Sequence, residues 1–388
     1  MRHTDLVVLP ADSGGGHREF VALPYRLYAG DPNWVAPLRS EERRRWSRAR
    51  NASLRDRWVR RFVAYRDGRP VGRVAAIEDR GFARNWEAGT GWFGFFECQD
   101  DTVAARALMD AAETALRQRG LAAVIGPVNL TTHDETGVLV DGFDTPASLM
   151  TPYNPPYYDR LLHAAGYAAA NDYYAYRATL VGDVSPAVQR LVRLHAARNG
   201  KSRGMRIRPL DLKNWKTEAR IIWSLYNKAF SSVWGFVPIS WDEFAPRAKK
   251  FRQFAVPELV PIAELDGEPV GFALVLPDIN EALRGTNGRL LPFGWLHIAR
   301  AVPRIRAFRF ILLGVLPEHQ GSGIGALIAF HVRETARLLG VDLELSLVQH
   351  INGPVRHVID SFACPITKTY RLYQKQLNTP ATYGQAAA

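Results

Sequence analysis

Gly321, Gly323 and Gly325 fall within five residues, directly after Pro317, Glu318, His319 and Gln320 and directly before the apolar string from Ala326 to Phe330. Residues without side chains let successive backbone N–H groups converge on one point, and a helix starting there adds the positive end of its dipole. Such a turn can cradle a pyrophosphate. The apolar run 310–315 predicts a buried strand just before it, and Pro317 ends that strand. A glycine-rich connection with no ligand is the alternative, but strand before and helix after favour the anion site. Gly14, Gly15 and Gly16 lack that context, so a loop is expected there.

Proton-transfer chemistry needs His, Asp or Glu near such a turn. His133, Asp134 and Glu135 lie side by side in a stretch rich in Thr and Gly, an attractive base constellation or a solvated loop. Glu264 sits in a predicted strand, Asp278 and Asn280 follow another, and His350 ends the strand expected over 343–348. Asp278 suits either a base or a cap at the end of a hairpin. No spacing of His, Cys and acids repeats a metal-ligand pattern. Cys98 and Cys364 form no disulfide framework, which fits a reducing cytoplasm.

The elements that position these residues come in two copies. Ala64-Tyr65-Arg66-Asp67-Gly68-Arg69-Pro70-Val71-Gly72 recurs about 200 residues later as Ala263-Glu264-Leu265-Asp266-Gly267-Glu268-Pro269-Val270-Gly271. Each is an apolar run, an Asp-Gly turn and a second apolar run, which predicts a β-hairpin. Asp79 and Asp278 end the two hairpins at matching positions. Each half then has a helix closed by glycine, over 104–120 and 325–340, and ends on an aromatic strand, over 173–177 and 369–373. Insertions are expected over 130–150 in the first half and 280–306 in the second. Each half therefore reads as strand, helices, hairpin, strand, helix, strand, helix, strand: a mixed α/β domain with a central sheet flanked by helices. The expected boundaries are 1–180, a helix and linker over 181–204, and 205–388.

Gln320-x-x-Gly323-x-Gly325, following the strand that ends in Val315-x-Pro317, resembles motif A of the GNAT (Gcn5-related N-acetyltransferase) superfamily. The order of hairpin, strand, helix and terminal strand over 205–377 is also that of the family. The resemblance implies that the amides of Gln320, Gly321, Ser322, Gly323, Ile324, Gly325 and Ala326 hold the pyrophosphate of coenzyme A. It implies that Leu313, Gly314 and Val315 pair with the pantetheine arm, and that Asn352 stands near it. The family's usual tyrosine acid is replaced by Ile359. The first half resembles the same fold in degenerate form, because Gln99-Asp100-Asp101-Thr102 replaces the glycine turn with two carboxylates. The strings 31–37 and 152–158 look like those of a bacterial tandem subfamily. No permanently bound cofactor is implied, only an acyl-CoA co-substrate.

The formal charge of +12 is localised. Residues 39–61 hold ten arginines against three acids, and residues 280–310 hold six against Glu281. Such stretches suit phosphates, anionic lipid or nucleic acid, or are merely solvated helices. Residues 290–306 mix large apolar side chains, Trp295 and spaced arginines, as an interfacial segment does, although an amphipathic helix packed over the sheet has the same pattern. No helix-turn-helix, zinc finger or RNA-binding signature supports nucleic acid. No apolar stretch reaches the roughly 18 residues of a membrane span, and Met1 to Asp5 begin no secretory signal.

These features point to an acyl-CoA-dependent N-acyltransferase, cytoplasmic and peripheral to the inner membrane face. The favoured acceptor is a long-chain amine such as a sphingoid base, since the tandem arrangement is similar to that of bacterial ceramide synthases. Acetylation of a small or antibiotic-like amine and non-catalytic binding of acyl-CoA are the alternatives. His133, Glu135, Asp278 and His350 are the catalytic candidates.

Overall fold

The Asp-Gly turns fold as their residue types dictate. In the computed structural model, which describes residues 5–198 and 204–377, Asp67 and Gly68 have φ of 50° and 75°, and Asp266 and Gly267 of 53° and 89°. Two successive positive φ angles define the type I′ turn, whose twist matches that of the flanking strands. Residues 199–203 of the expected linker, and 1–4 of the N-terminus, lie outside the described residues.

Two compact units divide the chain. One is drawn from Met1–Pro146, Pro152–Asp172 and Tyr370–Ala388, the other from Ala147–Thr151 and Tyr173–Thr369.

The first unit runs β1 (Leu6–Pro10), α1 (Gly14–Leu27), α2 (Arg39–Arg45), β2 (Arg57–Arg66), β3 (Arg69–Asp79), α3 (Arg80–Asn85), β4 (Thr90–Cys98), α4 (Thr102–Arg117), β5 (Ala123–Gly126), β6 (Val138–Asp141) and α5 (Tyr158–Ala164). β1 to β4 pair antiparallel in sequence order, and β5 joins β4 in parallel. Leu108, Met109, Ala112 and Leu116 form the apolar stripe of α4 and bury against Val74 and Phe93 of the sheet. Each such large side chain contributes about 1.5–3 kcal/mol. Gly14 to Gly16 open α1 directly after β1, which corrects the loop expected there. Close packing explains the third glycine, since a Cβ on Gly16 would lie 3.0 Å from Ala11 Cα, whereas one on Gly14 or Gly15 would meet nothing within 4 Å.

The second unit uses β7 (Ala168–Arg177) from Tyr173 on, then α6 (Pro186–Arg198), β8 (Met205–Arg208), α7 (Trp215–Ala229), α8 (Trp241–Arg252), β9 (Ile262–Leu265), β10 (Glu268–Pro277), α9 (Asn280–Leu283), α10 (Gly294–Ala301), β11 (Ala307–Val315), α11 (Ile324–Leu339), β12 (Asp342–Gln349) and α12 (Gly353–Asp360). β8 to β11 pair antiparallel in order, β12 joins β11 in parallel, and β7 joins β12 antiparallel. The last element among the described residues is β13 (Ile366–Gln376). Its residues Tyr373 to Gln376 pair antiparallel with β5 of the first unit.

The two sheets therefore share one strand order, β1-β2-β3-β4-β5-β13 and β8-β9-β10-β11-β12-β7, with terminal strands exchanged between the halves of the sequence. The units do not follow cuts at 180 and 205, because a strand's backbone groups are satisfied by any open sheet edge and its sequence does not specify which. α11 packs on one face of the second sheet through Ile324, Ile328, Val332 and Ala336. α7 packs on the other through Ile222 and Leu225 against Phe272. Gly340, at φ 64°, ends α11 in the left-handed conformation that glycine adopts without strain.

Candidate active site

The parallel pairing of β11 with β12 begins at Ala307 and Asp342 and stops at Phe310 and Leu345. Beyond that point β11 pairs only with β10, and β12 only with β7, through Val348 with Tyr174 and Gln349 with Tyr173. Two neighbouring strands thus lose their shared ladder and leave the edge of 311–315 facing a gap. At the same level the β10–β11 register shifts, with Leu274 opposite Leu312 but Val275 opposite Phe310. Ile311 is left as a β-bulge, a feature frequent at functional sites. The sequence carries no signal for this bulge, since every residue around it is apolar.

The glycine turn lies at the wide end of the gap. Gln320 Nε2 donates to the Val315 carbonyl at 3.1 Å, and Ser322 Oγ donates to the His319 carbonyl at 2.6 Å, which fixes the turn. Gly321 and Gly323 take φ of 75° and 89°. No side chain caps α11, so its first-turn N–H groups stay available to an anion. A Cβ on Gly321 would meet nothing within 4 Å, and one on Gly325 would meet only Val315 Cγ2 at 3.7 Å. A Cβ on Gly323 would lie 2.8 Å from Leu191 Cδ2, because α6 crosses there. Asn352 caps α12, its Oδ1 accepting the Val355 N–H at 3.4 Å, while its Nδ2 makes no hydrogen bond among the described residues.

The first unit closes both features. Asp101 Oδ1 accepts the N–H groups of Val103 and Ala104, each at 3.0 Å, and so occupies the start of α4. Arg66 pairs with the same carboxylate, and these bonds hold it below the usual range even though burial opposes them. The gap after β4 and β5 is filled by the chain itself. Val128 N–H donates to the Phe93 carbonyl at 2.8 Å, and Phe95 N–H to Asn129 Oδ1 at 2.7 Å. A Cβ on Gly94 would sit 2.2 Å from the Val128 carbonyl oxygen. Burial, with Asp101 and Asp100 nearby, pushes the Cys98 thiol up to about 12, so it is no nucleophile.

A polar cluster surrounds the narrow end of the second unit's gap. Buried Arg309 donates from Nε to Ser346 Oγ and from Nη2 to the Ser346 carbonyl, both at 2.9 Å, and from Nη1 to the Leu149 carbonyl. Glu344 accepts from Ser346 Oγ at 2.8 Å and from Ser148 Oγ at 2.7 Å. Asp278 Oδ1 accepts the N–H groups of Leu149 at 2.9 Å and Asn280 at 3.1 Å. Burial, with Glu344 and Glu281 nearby, raises the Asp278 carboxyl to about 6 against those bonds. The 147–151 segment is therefore clamped by charged groups that apolar patterning could not connect to it.

The other candidates are dispersed. Both oxygens of Glu135 meet the Arg45 guanidinium, at 3.4 and 3.3 Å. His133 lies in the same first-unit loop, its N–H bonded to Thr131 Oγ1 at 3.0 Å. Glu264 pairs with Arg208 at 2.5 Å. His350 Nδ1 lies 3.1 Å from Tyr174 Oη and 3.3 Å from Arg356 Nη1. A guanidinium only donates, so Nδ1 accepts and the ring proton sits on Nε2. Asp278 N–H bonds the Ala307 carbonyl at the start of β11, whereas His350 follows the far end of β12. At about 3.3 Å per residue they stand roughly 25 Å apart along the strands and cannot share one constellation. Ile359 is buried in α12.

A splayed parallel pair, a bulge and an uncapped glycine turn together define a GNAT acyltransferase. Residues 220–361 match the Acetyltransferase (GNAT) family. The chain is 34% identical over 383 residues to a protein named bacterial ceramide synthase from Caulobacter vibrioides (strain NA1000 / CB15N), covering 97% of this chain and 98% of that one. It is 32% identical to protein YghO of Escherichia coli (strain K12), over 93% of each chain. A tandem GNAT protein from the clavulanic acid biosynthesis pathway, solved without AcCoA, shares the fold with a TM-score of 0.53. That likeness covers 97% of this chain and all of the other at 14% identity. The chain belongs to the GNAT family, acyltransferases that take acyl-CoA as co-substrate and an amine as acceptor.

Proposed function

We propose that this protein moves an acyl group from a coenzyme A thioester to a long-chain amine, a sphingoid base, giving a ceramide at the inner membrane face. The observation that carries this reading is end-to-end similarity, through both units, to the protein named bacterial ceramide synthase. In this reading the free amides of 321–326 hold the pyrophosphate, beside Gln320, whose own N–H bonds the Pro317 carbonyl at 3.2 Å. The open edge of Leu313, Gly314 and Val315 bonds the pantetheine arm, and Asn352 Nδ2 donates to it. The first unit, with its helix start closed by Asp101, takes no coenzyme A and serves the acceptor, which leaves one thioester site per chain.

An extended pantetheine running down the gap brings the thioester to the bulge at Ile311, where a backbone N–H freed from the ladder polarises its carbonyl. The acceptor's ammonium, with a pKa near 10.4, must lose a proton before its nitrogen attacks. Asp278 is the base of this reading, acting through bridging water because it stands level with Ala307, about 13 Å along β11 from Ile311. With its carboxyl at about 6 it is ionised at neutral pH, and its Oδ2 has no partner among the described residues. As the C–N bond forms, the C–S bond breaks and the thiolate leaves. A thiol pKa near 8.5 makes that departure feasible without a dedicated acid, which agrees with Ile359 in place of a tyrosine. His350, at the wide end, belongs with Asn352 beside the arm.

Incubation of the purified protein with palmitoyl-CoA and sphinganine, followed by mass spectrometry of the lipids, should yield the N-acyl product. Coenzyme A release with acetyl-CoA and polyamines or amino acids, and none with sphinganine, rejects this reading in favour of a small-amine acetyltransferase.

A further inference from the structure

The insertion between β10 and β11 exposes apolar side chains in a cluster. Leu291, Phe293 and Trp295 are 77%, 74% and 55% exposed, and Leu290 beside them is exposed too. The segment is nevertheless held in place, because Ile298, Ala301 and Val302 pack against the apolar core of the second unit. α10 thus uses one face for anchorage and turns Trp295 outward, with Leu291 and Phe293 on the loop before it.

Charge flanks this cluster in sequence. Arg284, Arg289, Arg300 and Arg304 are all exposed, and none of their guanidinium groups makes an ion pair or hydrogen bond among the described residues. No acid lies between 284 and 306. The other basic stretch, 39–61, behaves differently. There Arg45 pairs with Glu42 and Glu135, Arg57 with Asp79, Arg61 with Asp12, and Arg39 stacks on Tyr25. Much of its charge is met within the first unit, whereas that of 284–306 faces outward.

Large apolar residues with a tryptophan, flanked by unpaired arginines on a segment anchored to the core, match the boundary between anionic headgroups and acyl chains. Nucleic acid would use the arginines but has no place for Leu291 and Phe293. No helix among the described residues is long and apolar enough to cross a membrane. We infer that the 284–306 insertion docks this protein on an anionic lipid bilayer, with Leu291, Phe293 and Trp295 entering the interface and the four arginines meeting lipid phosphates. The insertion starts just after Asp278, so docking brings the bilayer surface to the end of the chain segment that carries the proposed base. The inference deepens the lipid-acceptor reading and rests on it for purpose, but its physical test is separate.

Cosedimentation of the full chain with phosphatidylcholine vesicles, and with mixed phosphatidylcholine–phosphatidylglycerol vesicles, measures the docking. Binding is expected to the mixed vesicles, weakened by salt, and much weaker to phosphatidylcholine alone. The variant L291S/F293S/W295S should bind at least tenfold more weakly with an unchanged melting temperature, and R289A or R300A roughly fivefold more weakly each. Equal binding by the wild type and the apolar variant, or no binding by the wild type, overturns the inference. So does a variant that loses only self-association, which would assign the patch to a second copy. Acyl transfer to detergent-dispersed sphinganine should survive in the apolar variant. If the wild type also fails that assay, the acceptor reading falls while the vesicle result stands.

Discussion

Asp278 Oδ1 accepts the backbone N–H of Leu149 at 2.9 Å, so a residue from the first half of the sequence completes the surroundings of an acid in the second. Burial chiefly, then Glu344 and Glu281, lift this carboxyl to about 6 from an ordinary value near 4. The folded state therefore binds more protons than the unfolded one between roughly pH 4 and 6. The stabilisation from the protonated form is complete below that window and lost as pH rises through 6, a difference of about 3 kcal/mol. Asp278→Asn keeps an acceptor for Leu149 and Asn280 but cannot ionise. Thermal melting from pH 4 to 8 should show the wild type losing ground to the variant as pH rises. An unchanged difference between the two refutes the shift. As the proposed base, the variant should also lose about a hundredfold or more in turnover with unchanged affinity for acyl-CoA.

Gly323 has two reasons to be glycine, its φ of 89° and the nearness of Leu191. Gly323→Ala is expected to cost about 1–2 kcal/mol from the left-handed backbone alone, and more from the clash. Calorimetry should find acyl-CoA binding lost or weakened more than tenfold. Leu191→Ala in the same chain should restore part of the stability by removing the clash, but not the part due to φ. Gly321→Ala, with open space around it, should be the milder change. Equal losses at both positions would mean that Leu191 is not the obstacle.

Asp101 performs inside the first unit what the proposed pyrophosphate would perform at the second unit's turn. Asp101→Ala removes a helix cap and frees Arg66, for an expected loss of about 1–2 kcal/mol in urea denaturation. Its effect on acyl-CoA affinity should be nil. A measurable change in that affinity would show that the first unit's helix start takes part in binding.

Local features of this fold were legible because they are local in origin. The paired Asp67-Gly68 and Asp266-Gly267 turns, the stripe of α11 and the glycine that ends it each follow from neighbouring residue types. The order of elements in each half follows from them. What escaped was non-local. Nothing in Tyr173 to Arg177 says which sheet's open edge will accept it, and Ile311 is one apolar residue among many although it forms the bulge. The spacing of His133, Asp134 and Glu135 carries no sign of the guanidinium that Glu135 meets, which belongs to Arg45, 90 positions away. Gly14 to Gly16 looked like a loop because β1 is short and mostly exposed, and therefore weakly patterned.

His350 and Asn352 stand together at the wide end of the gap, and their joint position makes a binding role separable from a catalytic one. With Nδ1 accepting from Arg356, the Nε2–H of His350 is a donor, as is the free Nδ2 of Asn352. Loss of one neutral hydrogen bond costs about 1 kcal/mol, so His350→Ala and Asn352→Ala should each weaken acyl-CoA binding by roughly fivefold. Turnover at saturating acyl-CoA should fall little, and its pH dependence should stay that of the wild type. A general base removed from the site would instead lower turnover by a hundredfold or more and abolish the acidic limb of the profile. Measuring KM and kcat for both variants across pH 5 to 9 decides between the two roles. If His350→Ala loses turnover at unchanged affinity, the proton from the amine passes through His350 and not through Asp278.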